Sequence, residues 1–169
     1  MKYFIFCFLA LLISCNNRTD SGEKSDYMLS DPEGFSDFDI EYDVNRGDNY
    51  FSSIDSIYAR DYVNETRKVK VELTAEEKQK IFEVVKKVDF LSLPDTIERG
   101  GGTCMLPAFT MEVKVRIGSK EKRVYDLIYC DVKDKAIEER FDLITDTLWE
   151  ILQSKDKVKN LPQSDKIYM

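Results

Sequence analysis

The sequence predicts an α+β fold: a four-stranded antiparallel sheet with two helices on one face, in the order ββαββα. Three observations carry this expectation. Arg67 to Leu73 and Phe109 to Ile117 alternate apolar and polar residues, the period of a half-buried strand. Two later segments place apolar residues at helical spacing, each after a pair of strand-like segments. Strand pairs that alternate with helices, joined by short connections, favour helices gathered on one face of an antiparallel sheet.

The elements follow in order. Ile54 to Val63 is rich in Ile, Tyr and Val and reads as the first strand, with a turn at Asn64-Glu65-Thr66. In Arg67 to Leu73, Val69, Val71 and Leu73 share one face and Lys68, Lys70 and Glu72 the other. Thr74-Ala75-Glu76-Glu77 has the form of a capping box, Thr74 as N-cap and Glu77 three residues on. A helix is expected from there to about Val88, with Ile81, Val84, Val85 and Val88 as its apolar stripe. Phe90, Leu91, Leu93 and Pro94 make a buried exit loop.

Gly100-Gly101-Gly102-Thr103 lacks the Lys-Ser/Thr pair that opens a helix in a phosphate loop, and reads as a flexible loop. Phe109, Met111, Val113, Val115 and Ile117 then point inward, and Gly118-Ser119 turns the chain. Lys122 to Cys130 returns as a strand with apolar residues on both faces. The last helix is expected from Lys135 to Gln153, capped by Asp134. Its stripe is Ile137, Phe141, Ile144, Leu148 and Ile151, with Trp149 beside it.

The folded domain is placed at residues 51–153, between a flexible tether over 15–50 and a polar tail over 154–169. Asn16 to Asp26 is too polar to offset its ordering entropy by burial. Asp37 to Asp43 alternates acids with apolar residues. A calcium loop would need glycine where Tyr42 stands and glutamate where Asp48 stands, so this stretch reads as an edge strand or a solvated linker.

The first fourteen residues form a separate class of signal. Lys2 is followed by an unbroken apolar run from Phe4 to Ile13. That is about half the 20 residues needed to cross a bilayer, and it fits a secretory signal. The residues at its end, Leu12-Ile13-Ser14-Cys15, resemble the lipobox of bacterial lipoproteins: a branched apolar residue, a second residue, a small residue, then cysteine. The resemblance covers residues 1–15. It implies cleavage before Cys15, a diacylglyceryl group on its sulfur and an acylated amine, and hence palmitate-type chains in a membrane. Several acyl chains on one residue anchor stably where one does not. Asn16 is not the aspartate that retains some lipoproteins at the inner membrane, which points to the outer membrane.

Composition narrows the function. Losing the one positive charge of residues 1–14 takes the formal charge from −7 to −8. Phosphate binding needs clustered Lys and Arg, so no nucleic-acid partner is expected. The chain has no histidine, which rules out Ser-His-Asp and Cys-His catalysis and His-ligated zinc. No catalytic residue, cofactor or metal is expected. Cys7 leaves with the signal and Cys15 is lipidated, so Cys104 and Cys130 remain in an oxidising compartment. They lie near the open end of the hairpin formed by the last two strands, as a disulfide or as two small apolar residues.

The outward sheet face is expected to be locally basic, with Lys68, Lys70, Lys114 and Arg116 joined by Arg60. It reads as a surface for an anionic protein or cell-wall glycan, or as a solvated face that discourages aggregation. Asp55-Ser56-Ile57, Asp95-Thr96-Ile97 and Asp146-Thr147-Leu148 resemble an acceptor pattern of bacterial periplasmic O-glycosylation, though chance explains such a permissive pattern well. The expectation is a non-catalytic, lipid-tethered lipoprotein whose domain binds a protein or envelope partner, an inhibitor or immunity role being one version. The alternatives are a small hydrolase using paired carboxylates and a structural accessory of an envelope assembly.

Overall fold

The computed structural model describes residues 34–167. Cys15, the signal segment and the first part of the tether lie outside them. The described residues form a mixed α+β structure with one seven-stranded sheet. Its strands are β1 (Phe38–Val44), β2 (Asn49–Ser52), β3 (Ile57–Asp61), β4 (Thr66–Lys70), β5 (Thr96–Ile97), β6 (Arg99–Ile117) and β7 (Lys120–Val132). The helices are α1 (Ala75–Lys87), α2 (Lys135–Ser154) and the short α3 (Asp156–Lys159). Across the sheet the order is β4-β3-β2-β1-β6-β7-β5. All pairs are antiparallel except β5 with β7, which is parallel.

The sheet is larger than the four strands read from the sequence because β1, β2 and the two-residue β5 belong to it. Phe38, Ile40, Tyr42 and Val44 are buried, while Asp39, Glu41 and Asp43 alternate with them on the other face. The stretch taken for tether or edge is thus the middle strand, flanked by β2 and β6. Its acids look solvated in sequence because their cationic partners come from β6, more than seventy residues later. The expected strand over Ile54 to Val63 is also divided. A turn at 53–56 precedes β3, with Ser56 in the left-handed region at φ 53°.

The chain enters the described structure beside the β6–β7 turn. A Cβ on Gly34 (φ +89°) would lie 2.5 Å from Ile117 Cγ2, so both space and backbone demand glycine there. Phe35 and Phe38 then pack their rings edge-on against Phe82 of α1, with centroids 5.5 and 5.2 Å apart. α1 and α2 cover the same face of the sheet. Ile81, Phe82 and Val85 from α1 and Phe141, Ile144, Leu148 and Leu152 from α2 meet Ile40, Val113, Val115 and Val124 in one core.

Local signals set both long helices. Glu77 N–H donates to Thr74 Oγ1 (3.2 Å) and Thr74 N–H to Glu77 Oε2 (2.8 Å), closing the capping box. At α2, Asp134 Oδ1 accepts from Ala136 N–H (2.9 Å) and Ile137 N–H (3.4 Å). Arg140 fastens α2 to the end of α1, donating to the carbonyls of Val88 (2.7 Å) and Asp89 (2.9 Å).

Two further segments depart from expectation. The glycine run lies within β6, with register shifts between Arg99 and Gly101, Gly101 and Cys104, and Cys104 and Phe109. The last shift sets five steps of β6 against two of β7, from Cys130 to Ile128, so the strand bulges where its pairing breaks. Residues 154–169 do not form a free tail through 167. α3 buries Val158 completely, and Leu161 packs on the core. Beyond it, Arg60 Nη1 donates to the carbonyls of Leu161 (3.2 Å) and Pro162 (2.9 Å), and Tyr62 OH to that of Pro162 (2.7 Å). No helix among the described residues is long and apolar enough to cross a membrane.

Candidate functional site

Of the five basic residues expected to share one outward face, the register puts Lys68, Lys70, Lys114 and Arg116 on one face, but β3, β2 and β1 separate the first two from the last two. Arg60 lies on the helix-bearing face, in the row of Tyr58, where it holds the C-terminal segment and also donates to Asn49. Lys68 and Lys70 sit on the edge strand β4, and Lys70 pairs with Glu72 at 2.5 Å. Lys114 stands 3.4 Å from Glu41 and 3.5 Å from Glu121. Arg116 pairs with Asp39, and Arg123 with Glu112. Neighbours Glu41 and Glu121 push the Lys114 ammonium above its ordinary range despite some desolvation. Insertion of β1 turns the expected basic patch into rows of opposite charges, which support the sheet as cross-strand pairs.

Cys104 and Cys130 face each other in register on β6 and β7 and are joined as a disulfide. Cys130 is buried and Cys104 exposed. The bond staples the strands just before the bulge that leads to Phe109. Of the three acceptor-like segments, Thr147 is buried with its hydroxyl on the Leu143 carbonyl (2.6 Å). Ser56 lies in the β2–β3 turn, and Thr96 is exposed on β5.

The opposite end of β1 from Gly34 opens on a groove of about 300 Å³, at the lower end of the range for ligand sites. Its floor is Tyr42 and Val44 from β1 with Met111 from β6. One wall is Phe109 and the other is Thr145, Asp146 and Trp149 of α2. The C-terminal segment supplies Ser164 and Lys166, and the β1–β2 turn supplies Asn45, Asp48 and Asn49. Phe109 and Trp149 remain 37% and 40% exposed. Phe109 does face inward, as its alternation requires, but it extends beyond the helices that cover Val113 and Val115.

The groove is built from fixed parts. Asn45 and Arg46 both adopt left-handed backbone (φ 49° and 56°) ahead of Gly47 (φ 108°). Asn45 exchanges two bonds with Thr110, its N–H donating to the carbonyl and its Oδ1 accepting from the N–H, both at 2.9 Å. Asp43 Oδ1 accepts from Gly47 N–H at 2.7 Å. Burial pushes the Asp43 carboxyl above its usual range, against that hydrogen bond. Asn49 Oδ1 accepts from Tyr58 OH (2.6 Å) and Arg60 Nε (3.3 Å).

The C-terminal wall is held by charge. Lys166 Nζ lies 2.9 Å from Asp48 and 2.5 Å from Asp61. Ser164 donates to the Asp61 carbonyl (2.7 Å), and Val63 N–H to Asp165 (2.8 Å). Hydrogen bonds from Lys166 and Thr66 hold Asp61 below the usual carboxylate range. Burial, reinforced by Tyr58, Asp146 and Asp43, pushes the Tyr42 phenol far up and keeps it neutral. Asp146 pairs with no cation among the described residues.

Sequence reasoning placed Trp149 beside the α2 stripe and Phe109 inside the sheet without joining them. The available signal was an indole off the apolar stripe, one helical turn after a carboxylate. Among the described residues no group of three or more His, Cys, Asp or Glu is placed to hold a metal ion. No protein-family model matches the chain, and no curated protein matches it.

Proposed function

We propose that this chain is a lipid-anchored lipoprotein of the bacterial envelope, held at the outer membrane through Cys15, whose α+β domain is a non-catalytic binding module for a protein partner. The observation that carries the binding role is the open groove between Phe109 and Trp149. Two large aromatic side chains stand partly exposed across a partly apolar floor, and aromatic side chains of this kind dominate binding energy when a partner seals them. The lipobox-like residues Leu12-Ile13-Ser14-Cys15 support the anchor. The groove lies at the far end of β1 from Gly34, about 20 Å along a seven-residue strand. An inhibitor or immunity role is one concrete form of this function.

The test is affinity capture of the full-length protein from its own membranes, with mass spectrometry of bait and prey. Cys15→Ala and Phe109→Ala/Trp149→Ala versions run beside it. One stoichiometric partner with the native chain, lost with the double variant, is the expected result. A partner retained by the double variant would move the binding site elsewhere. A bait whose intact mass lacks acyl chains would overturn the anchor.

A further inference from the structure

The chemistry of the groove narrows what it takes. Trp149 and Asp146 are three residues apart on α2, so their Cβ atoms lie about 5–6 Å from each other on the same helix surface. An indole face is the negative end of a ring quadrupole, and it attracts an ammonium or guanidinium more strongly than other rings do. A carboxylate one turn away adds a full charge of the same sign. The remaining charges of the groove do not cancel it. Lys166 is the one cation in the lining, and it lies between Asp48 and Asp61. That ammonium is engaged by Asp48 and, outside the lining, by Asp61, and no salt bridge joins it to Asp146, the carboxylate on the same helix as the indole. Phe109, Met111 and Val44 provide an apolar floor and wall beside them.

We infer that the groove binds an organic cation on an apolar stem, the side chain of a lysine or arginine presented by the partner. This rests on the binding role proposed above and names its ligand class. The stem lies along Phe109, Met111 and Val44. The cationic head sits against the Trp149 face and the Asp146 carboxylate. A cell-wall glycan would instead need hydrogen-bonding groups arrayed around a stacked ring. Here Asn49 Oδ1 accepts from Tyr58 and Arg60, the Asn45 side chain is bonded to Thr110, and the Thr145 hydroxyl donates to the Asp142 carbonyl.

Trp149 is the single tryptophan of the chain, so its fluorescence reports on the groove alone. Three probes share one stem and differ only in charge: pentylamine, pentanol and pentanoate. Each is titrated into the full-length protein, with chitotriose as a fourth. The expected result is a saturable change with pentylamine, at about tenfold lower concentration than with pentanoate. Asp146→Asn, at an exposed helix position, should weaken pentylamine about tenfold while the far-UV spectrum is unchanged. Equal responses to the three pentyl probes, or unchanged pentylamine binding in Asp146→Asn, would overturn the inference. So would a response to chitotriose with none to pentylamine, which would mark a glycan site. Loss of partner capture in the Phe109→Ala/Trp149→Ala chain without pentylamine binding would leave the binding role intact and refute only the ligand class.

Discussion

Arg99 grips Asp126 with a two-pronged fork, Nε to Oδ1 at 2.7 Å and Nη2 to Oδ2 at 2.6 Å, and both side chains are nearly sealed from solvent. The same guanidinium donates to the Cys130 carbonyl (3.1 Å) and pairs with Glu138 of α2 (2.9 Å). One side chain thus ties the start of β6 to β7 and to the first turn of α2. Fork-to-carboxylate geometry of this kind is among the stronger charge-assisted contacts. Removing one partner strands the other charge in the core. Arg99→Ala is expected to cost about 3–5 kcal/mol in urea unfolding, and the double replacement Arg99→Met/Asp126→Leu much less than that. A double variant as unstable as the single would mean that the pair is worth more than an apolar substitute.

The Cys104–Cys130 bond closes a loop that holds the β6–β7 turn and most of both strands, at a sequence separation of 26. Restricting the unfolded chain over that length contributes roughly 2–4 kcal/mol. Cys104→Ser/Cys130→Ser should lower stability by that amount. In the chain starting at Asn16 these are the two cysteines, so a thiol assay under denaturing, non-reducing conditions should find no free thiol. Two free thiols would show the bond to be absent.

Acid should release the C-terminal segment before the domain unfolds. The Asp61 carboxyl is held below its unfolded value by Lys166 and Thr66. Its contribution is complete above the ordinary aspartate range and is lost as pH falls through the lowered folded value. Lys166 is shifted upward by Asp61 and Asp48, so its share persists through neutral pH. Amide exchange over 161–167 is expected to stay slow from neutral pH down to about pH 4 and to quicken below that, after correction for intrinsic rates. Asp61→Asn should quicken it already at neutral pH. A profile indifferent to both pH and Asp61→Asn would refute the clamp.

Asp142 is a site where a charge opposes folding. Burial is the main cause of its raised pKa, with Glu138, Asp146 and Asp126 adding repulsion and Arg99 partly countering it. A raised folded value means that stability falls as pH rises from the ordinary aspartate range through the folded value. Asp142→Asn, which keeps the shape, should therefore raise the melting temperature at neutral pH. The gain should fade once the pH drops below the ordinary aspartate range. A variant with the same melting temperature as the native chain at neutral pH would count against it.

What could be read from the sequence was local chemistry. Thr74 and Glu77 form their box within four residues, Asp134 caps the turn that follows it, and Val113 with Val115 needs only period two to be placed inside. β1 shows the same period, yet its acids made it look solvated, because Lys114 and Arg116 lie far along the chain. β7 carried apolar residues on both faces. What breaks that ambiguity is Asp126 pointing inward, allowed only because Arg99 meets it there. The docked C-terminal segment was hidden for a different reason: two of its anchors are the carbonyls of Leu161 and Pro162, which no side-chain pattern announces, and the partners of Lys166, Asp48 and Asp61, lie more than a hundred residues earlier. The groove shares both problems, since Trp149, Phe109 and Lys166 come from three separate stretches.

β1 also determines how the domain meets force. Tension applied at Gly34 enters along the axis of the middle strand, which is laddered to β2 over Glu41–Val44 and to β6 over its full length. A pull parallel to the strands loads those bonds together in shear, whereas a pull on edge strand β4 would open its ladder one rung at a time. A load that enters along β1 is therefore shared by two ladders at once. The Phe109–Trp149 groove sits at the far end of that loaded strand, beside the C-terminal segment.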